Sequence, residues 1–174
     1  MYKYLLYFLI FSFLGWCAEV LFHFLKSGLY ENRGLARGPV CPIYGIGICL
    51  ADILLGSVDS FLLLALFSMA IATLVEFAVG YFTDRALSLR LWDYTSERGN
   101  ILGYVCPRFS LIWGIVCAAI IKLLPLFEPV IVRLDAPAFK GIAFVLLLFT
   151  LVDERISVER LMNRPRRRKN KIAH

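Results

Sequence analysis

Two acidic residues lie within long apolar stretches, where a carboxylate is costly. Glu19 stands in LGWCAEVLFHF and Glu76 in IATLVEFAVGY. An ionisable side chain at the centre of a membrane helix costs roughly 2.5 to 3.5 kcal/mol and usually faces a partner or a water-filled cavity. The two carboxylates are therefore the first candidates for a binding site.

His23 follows Glu19 by four residues, so the two side chains share one helical face. This pair would suit a proton relay, a cation site or one half of a metal site. Two ligands do not specify a metal, and no metal site is predicted. Alternatively, Glu19 and Glu76 only hold helices together. They would then form ion pairs with arginines of the nearby loops: Arg33, Arg37, Arg98 and Arg108.

The elements that carry these residues are apolar blocks. Sixty per cent of the residues are hydrophobic and the mean hydropathy is +0.73, well above soluble domains. Each block approaches the length that spans a hydrocarbon core of about 30 Å. The blocks cover about residues 4–25, 39–55, 61–82, 104–127 and 136–152. The sequence thus predicts an all-α integral membrane protein with about five transmembrane helices, the second of them either complete or broken.

The basic residues predict an orientation. Seven of the 19 basic residues and no acidic residue fall in 160–174, as in a cytoplasmic anchor for anionic lipid rather than a nucleic-acid arm. We expect one transmembrane domain over 1–155 and a basic cytoplasmic tail over 156–174. Five spans then put the N-terminus outside the cell membrane. This topology leaves 15 basic residues inside and four outside, as the positive-inside rule requires.

A short pattern, G-x-V-C-P, occurs twice, at residues 38–42 and 103–107. Each copy closes a basic loop, and each loop contains an asparagine, Asn32 or Asn100. The span before each loop carries one of the two glutamates. The alternatives are coincidence and a duplicated helix-loop-helix unit, spans 1–2 and 3–4, with a fifth helix added. Two copies in the same direction would share a site between them, as in parallel-repeat transporters.

The loops add further candidates. If Pro42 and Pro107 begin helices, the neighbouring N–H groups could bind an anion with help from arginines. Asp93 lies among Trp92, Tyr94 and Tyr104, a composition typical of an anchor at the membrane interface; alternatively, Asp93 and these aromatic residues could line a gate. The predicted substrate-binding residues are therefore Glu19, Glu76, His23, Asn32, Arg33, Arg37, Asp93, Asn100 and Arg108.

Common catalytic signatures are missing from the sequence. It contains no P-loop, G-x-S-x-G, H-E-x-x-H or C-x-x-C pattern. The prediction is a protein that is not an enzyme and needs no cofactor. A separate ATPase would have to supply any ATP hydrolysis.

Four segments together resemble the bacterial family described as Putative ABC-transporter type IV. They are FSFLGWCAEVLFHF, NRGLARGPVCPIYGIG, LVEFAVGY and LWDYTSERGNILGYVCPRFSLIWG. The resemblance covers about residues 4–120 and leaves out the fifth block and the tail. It implies a permease-like membrane protein, and the small size implies a partner subunit or a homo-oligomer.

Three functions remain open at this point. The first is a transporter membrane subunit with Glu19 and Glu76 at a shared site. The second is a structural or regulatory membrane protein, and the third is a membrane-embedded enzyme acting on a lipid or small amphiphile.

Overall fold

The computed structural model describes residues 2–30, 32, 35 and 37–163. Within this part of the chain all regular structure is helical, apart from an isolated bridge between Ile101 and Val105. The helices are α1 (Tyr2–Ser27), α2 (Pro42–Leu55), α3 (Phe61–Leu87), α4 (Pro107–Arg133) and α5 (Pro137–Met162). The predicted all-α class with five helices is confirmed.

The helices differ in their fitness to cross a bilayer. By length and composition, α1, α3 and α4 are long and apolar enough to do so. Helix α2 is apolar but has only 14 residues. At 1.5 Å per residue, α2 is too short to cross a hydrocarbon core of about 30 Å on its own. Helix α5 is long, but the acidic and basic residues of its second half make it less apolar.

Proline marks the start of two helices on the side of the long loops. Cys41 and Cys106 have extended backbones, and Pro42 and Pro107 follow in the first turn. A proline fits there because the first N–H groups of a helix have no intrahelical partner. The prediction that both prolines begin helices is confirmed.

The bundle consists of two closely packed helix pairs and a fifth helix. Pair one is α1 with α2, and pair two is α3 with α4. Helix α2 joins the pairs by packing on α3 and α4, and α5 packs chiefly on α1. This division matches the proposed duplication, which itself stays a prediction.

Small residues allow pair one to approach closely. A Cβ atom on Gly45 would lie 2.5 Å from the Phe8 carbonyl oxygen, and one on Gly15 would lie 2.3 Å from Cγ of Tyr44. Close contact through glycine is typical of helix pairs in membranes, where packing rather than water exclusion drives association. Gly15 therefore makes room for the ring of Tyr44.

Side chains fill the end of the bundle remote from the long loops. Leu6 and Tyr7 pack there with Leu124, Ile131 and Ala143. A second buried cluster, around Leu64 and Ala118, joins α2, α3 and α4. The open space of the bundle lies nearer the long loops.

The predicted boundary between domain and tail falls inside α5. The sequence predicts a tail that begins at residue 156, whereas the helix continues to Met162. Residues 164–174, with most of the basic run, lie outside the described residues. The division into a membrane domain and a cytoplasmic tail stays a prediction.

Candidate functional site

Glu19 is held within pair one by a tyrosine. The hydroxyl of Tyr44, on α2, donates a hydrogen bond to Oε1 of Glu19, on α1. The edge of the same ring meets Trp113 of α4, with centroids 5.3 Å apart and planes at 73°. Tyr44 thus connects the carboxylate of pair one to a helix of pair two.

Glu76, on α3, is held by a tyrosine of the loop between α3 and α4 (residues 88–106), called the 3–4 loop below. The hydroxyl of Tyr94 donates a hydrogen bond to Oε1 of Glu76 over 2.9 Å. Burial, and next the carboxylate beside it, raise the pKa of Tyr94, so its hydroxyl keeps the proton that it donates. The ring of Tyr94 stacks on Phe109 with centroids 4.7 Å apart.

Glu76 is the more enclosed of the two carboxylates. Its residue exposure is 7%, whereas Glu19 is only half-buried. Oε2 of Glu76 is buried and accepts no hydrogen bond from the described residues. A buried acceptor without a donor costs free energy, which is the usual reason to suspect a bound partner.

Both carboxylates line one cavity of about 530 Å³. A third carboxylate, Glu154 of α5, also lines it, and its Oε1 is buried without a hydrogen-bond donor in the described part of the chain. The aromatic residues of the wall are Phe11, Tyr44, Trp92, Tyr94 and Trp113. Most of the remaining wall is aliphatic, and no lysine, arginine or histidine is among the described lining residues.

The 3–4 loop is rigidly braced at Arg90. Its guanidinium donates to Oδ1 of Asp93 over 3.0 Å and to the Leu102 carbonyl over 3.1 Å. It also lies over the ring of Tyr104, 5.2 Å from the centroid. The Thr95 N–H, and also Arg90, lower the pKa of Asp93. These bonds fix the loop segment that carries Tyr94.

Trp92 is fixed by the same loop. Its indole N–H donates to the Tyr104 carbonyl over 2.7 Å, and the Tyr104 hydroxyl donates to Asp84 over 2.8 Å. Trp92 therefore faces the cavity in a set orientation.

The other predicted site residues lie outside the described cavity wall. His23 and Arg37 are on or near the end of α1 and its loop, and Asp93 braces the 3–4 loop. Arg108 is largely exposed and pairs with Glu97 at 3.5 Å. Arg33 lies outside the described residues. A role in binding for these five stays a prediction.

The two predicted asparagines organise their loops. Asn32 accepts from the Trp16 indole over 2.8 Å and donates to the Arg37 carbonyl over 2.9 Å. Asn100 donates to the Glu97 carbonyl over 2.8 Å and accepts from the Gly103 N–H over 3.0 Å. In both loops the observed contacts of the amide are with the protein's own chain.

Sequence reasoning missed three residues of the site: Tyr44, Trp113 and Glu154. A signal for Tyr44 exists in the repeat, since Tyr44 and Phe109 each follow the motif proline by two residues. Glu154 lies two residues after the end of the fifth apolar block, within the predicted membrane domain but outside every predicted span. Nothing in the sequence marks Trp113 apart from its place in a span.

Metal coordination finds no support in the residues that the structure describes, because no three His, Cys, Asp or Glu side chains come together there as ligands. All five cysteines are free thiols.

A bundle of apolar helices around an acidic cavity defines an all-α integral membrane protein. The family described as Putative ABC-transporter type IV matches residues 6–158, and the chain belongs to this family. The resemblance seen in the sequence is confirmed, and the match extends beyond it to include most of the fifth helix. No curated protein and no solved structure matches the chain.

Proposed function

We propose that this protein is the membrane subunit of a transporter and that the cavity is its substrate site. The observation that carries the proposal is the meeting of Glu19 and Glu76, one from each helix pair, at one cavity. Its volume of about 530 Å³ lies in the usual range for small-molecule sites. An intramembrane carboxylate facing a cavity is a typical feature of substrate pathways.

The family supports a role in transport, and the chain lacks a P-loop. In our proposal a separate ATPase supplies the energy and the chain performs no catalytic step of its own. A small bundle of this kind would act with that partner or as a homo-oligomer.

The proposal includes an orientation, with the C-terminus in the cytoplasm and the N-terminus outside. The distribution of basic residues supports it. Fusions of green fluorescent protein and alkaline phosphatase to the C-terminus provide the test. Fluorescence without phosphatase activity agrees with the proposal, and the opposite pattern contradicts it.

The main experiment follows ligand-induced changes in melting temperature of the detergent-solubilised protein across a panel of metabolites and ions. It compares wild type with Glu19→Gln and Glu76→Gln. The matched control is Glu128→Gln, because Glu128 is an exposed carboxylate of α4 outside the described cavity wall. Any compound that binds is then followed across vesicles that contain the protein and its ATPase.

We expect a compound that raises the melting temperature of wild type and of Glu128→Gln but not of the two cavity variants. The same compound should cross the vesicle membrane only with wild type or the control.

One observation favours a second function, that of a structural or regulatory membrane protein. Each glutamate already joins two elements through a tyrosine hydroxyl. If that is the whole role, both cavity variants melt far below wild type and no compound of the panel shifts wild type.

A further inference from the structure

We infer that the cavity binds an organic cation, specifically a monovalent ammonium or phosphonium ion with an apolar body. This inference rests on the proposed function, because it names the substrate class of the same site. Charge, aromatic faces and wall composition support it separately.

The acidic and basic side chains of the described wall are all carboxylates. Glu19, Glu76 and Glu154 line it without any basic side chain among the described lining residues. A tyrosine hydroxyl donates to only one oxygen each of Glu19 and Glu76. Oε2 of Glu76, on a residue that is nine-tenths buried, is left to interact with whatever enters. An anion would meet three carboxylates and no basic side chain among the described lining residues, whereas a cation would be attracted.

The aromatic side chains supply a second attraction. Tyr44, Trp92, Tyr94 and Trp113 all line the cavity. The face of an aromatic ring carries negative partial charge, and a desolvated cation binds to it, most strongly on tryptophan. These rings are held by neighbours: Trp92 by the Tyr104 carbonyl, Tyr94 by Phe109, and Tyr44 by Trp113. The site is therefore organised before a ligand arrives.

The aliphatic wall decides between an organic and an inorganic cation. A small inorganic ion needs several oxygen ligands around it or keeps its water. Within the described residues no three His, Cys, Asp or Glu side chains come together as the ligands of a metal ion. The apolar body of an organic cation, by contrast, is stabilised by contact with the aliphatic residues. A lipophilic cation therefore fits both the aliphatic and the acidic, aromatic parts of the wall.

The test uses two ions of similar shape and opposite charge, tetraphenylphosphonium and tetraphenylborate. Binding of tritiated tetraphenylphosphonium to the purified full-length protein is measured by equilibrium dialysis, with unlabelled ions as competitors. We expect saturable binding that unlabelled tetraphenylphosphonium displaces and tetraphenylborate does not. This comparison uses wild type and needs no variant to fold.

Variants then locate the binding. We expect Glu76→Gln to weaken tetraphenylphosphonium about tenfold, since a carboxylate contributes more than a neutral amide to holding a cation. Glu154→Gln serves as the second cavity variant if Glu76→Gln does not fold. Glu128→Gln, the control, should bind like wild type.

The outcomes separate this inference from the proposed function. If tetraphenylborate or a neutral panel compound binds in a Glu76-dependent way and tetraphenylphosphonium does not, the inference fails and the transporter site stands. If tetraphenylphosphonium binds equally to all variants, the cation is not in this cavity and the inference also fails. If no ion and no panel compound binds wild type, the inference and the proposed function fail together.

Discussion

The hydroxyl of Tyr94 lies 2.9 Å from Oε1 of Glu76, so a residue of a loop provides the hydrogen bond for a carboxylate of an apolar helix. In pair one the donor is instead Tyr44, a residue of α2. Phe109, two residues after its motif proline like Tyr44, has a ring without a hydroxyl and stacks on Tyr94. Both glutamates thus accept a hydrogen bond from a tyrosine hydroxyl, but the tyrosine belongs to a helix in one case and to a loop in the other.

Removing the hydroxyl of Tyr94 should destabilise the fold. Tyr94→Phe keeps the ring that stacks on Phe109 but takes away the hydroxyl that donates to Oε1 of Glu76. Leaving a buried acceptor without its donor costs about 1 to 3 kcal/mol, and we expect a loss of that order in the free energy of unfolding. Thermal or denaturant unfolding in detergent measures it. Tyr30→Phe, at a tyrosine that is 69% exposed, is the control, and equal stability of the two variants would contradict the prediction.

Asp93 should make stability depend on pH. The Thr95 N–H and Arg90 lower the pKa of Asp93 in the folded protein, so folding favours its charged form. Its contribution is present above the ordinary aspartate pKa of about 3.9 and is lost as the pH falls through the lower, folded value. We expect wild type to melt above Asp93→Asn at about pH 6 and the gap to narrow below about pH 4.

The control for this pH series is Asp59→Asn, at an exposed residue of the turn between α2 and α3. A gap between wild type and Asp93→Asn that stays constant with pH would show that the carboxylate charge is not what braces the loop.

Two glycines of α2 should respond in opposite ways to an added methyl group. Gly45→Ala would place Cβ 2.5 Å from the Phe8 carbonyl oxygen, whereas a Cβ on Gly47 meets nothing within 4 Å. Because overpacking costs about 1 to 3 kcal/mol, Gly45→Ala should lower the melting temperature. Gly47→Ala should leave it unchanged or raise it, since alanine favours helix over glycine by about 1 kcal/mol. Melting curves of the two variants that coincide would rule out tight contact between α1 and α2.

Asp153 should hold the loop between α1 and α2 against helix α5. Oδ2 of Asp153 accepts a hydrogen bond from the Gly38 N–H over 2.7 Å. Asp153→Ala should therefore speed hydrogen exchange at the Gly38 amide, with a smaller effect on the amides of α3.

Glu159→Ala is the matched control for this exchange experiment. It removes only the exposed i,i+4 pair with Arg155, a kind of contact that contributes little. Exchange at Gly38 that is as slow in Asp153→Ala as in Glu159→Ala would contradict the tether.

The sequence predicted the helices because long apolar blocks and first-turn prolines act locally. The blocks ending near Leu55 and beginning at Phe61 match α2 and α3 within a few residues. The end of α5 was less predictable, because a helix that leaves the apolar region continues through charged residues on propensity and packing alone.

The two glutamates were also predictable, since a carboxylate in an apolar stretch is rare enough to notice. The tyrosines that donate hydrogen bonds to them were not predictable. Tyr44 looks like an ordinary residue of an apolar block, and Tyr94 looks like a membrane anchor. Only the packing of α2 on α1, and of the 3–4 loop on α3, brings their hydroxyls to the carboxylates. The place of Glu154 at the cavity could not be predicted, because it depends on how α5 packs against the two helix pairs and hydropathy does not encode that packing.

The different origins of the two donors have a mechanical consequence. Tyr44 belongs to a helix that is packed against α1 at Gly45, so its hydroxyl can leave Glu19 only if that helix or the tyrosine rotamer moves. Tyr94 can leave Glu76 only if the tyrosine rotamer changes or the 3–4 loop moves against its bonds to Arg90, and neither change requires a movement of α3 or α4. Releasing Glu19 and releasing Glu76 therefore require movements of different elements, and neither release depends on the other.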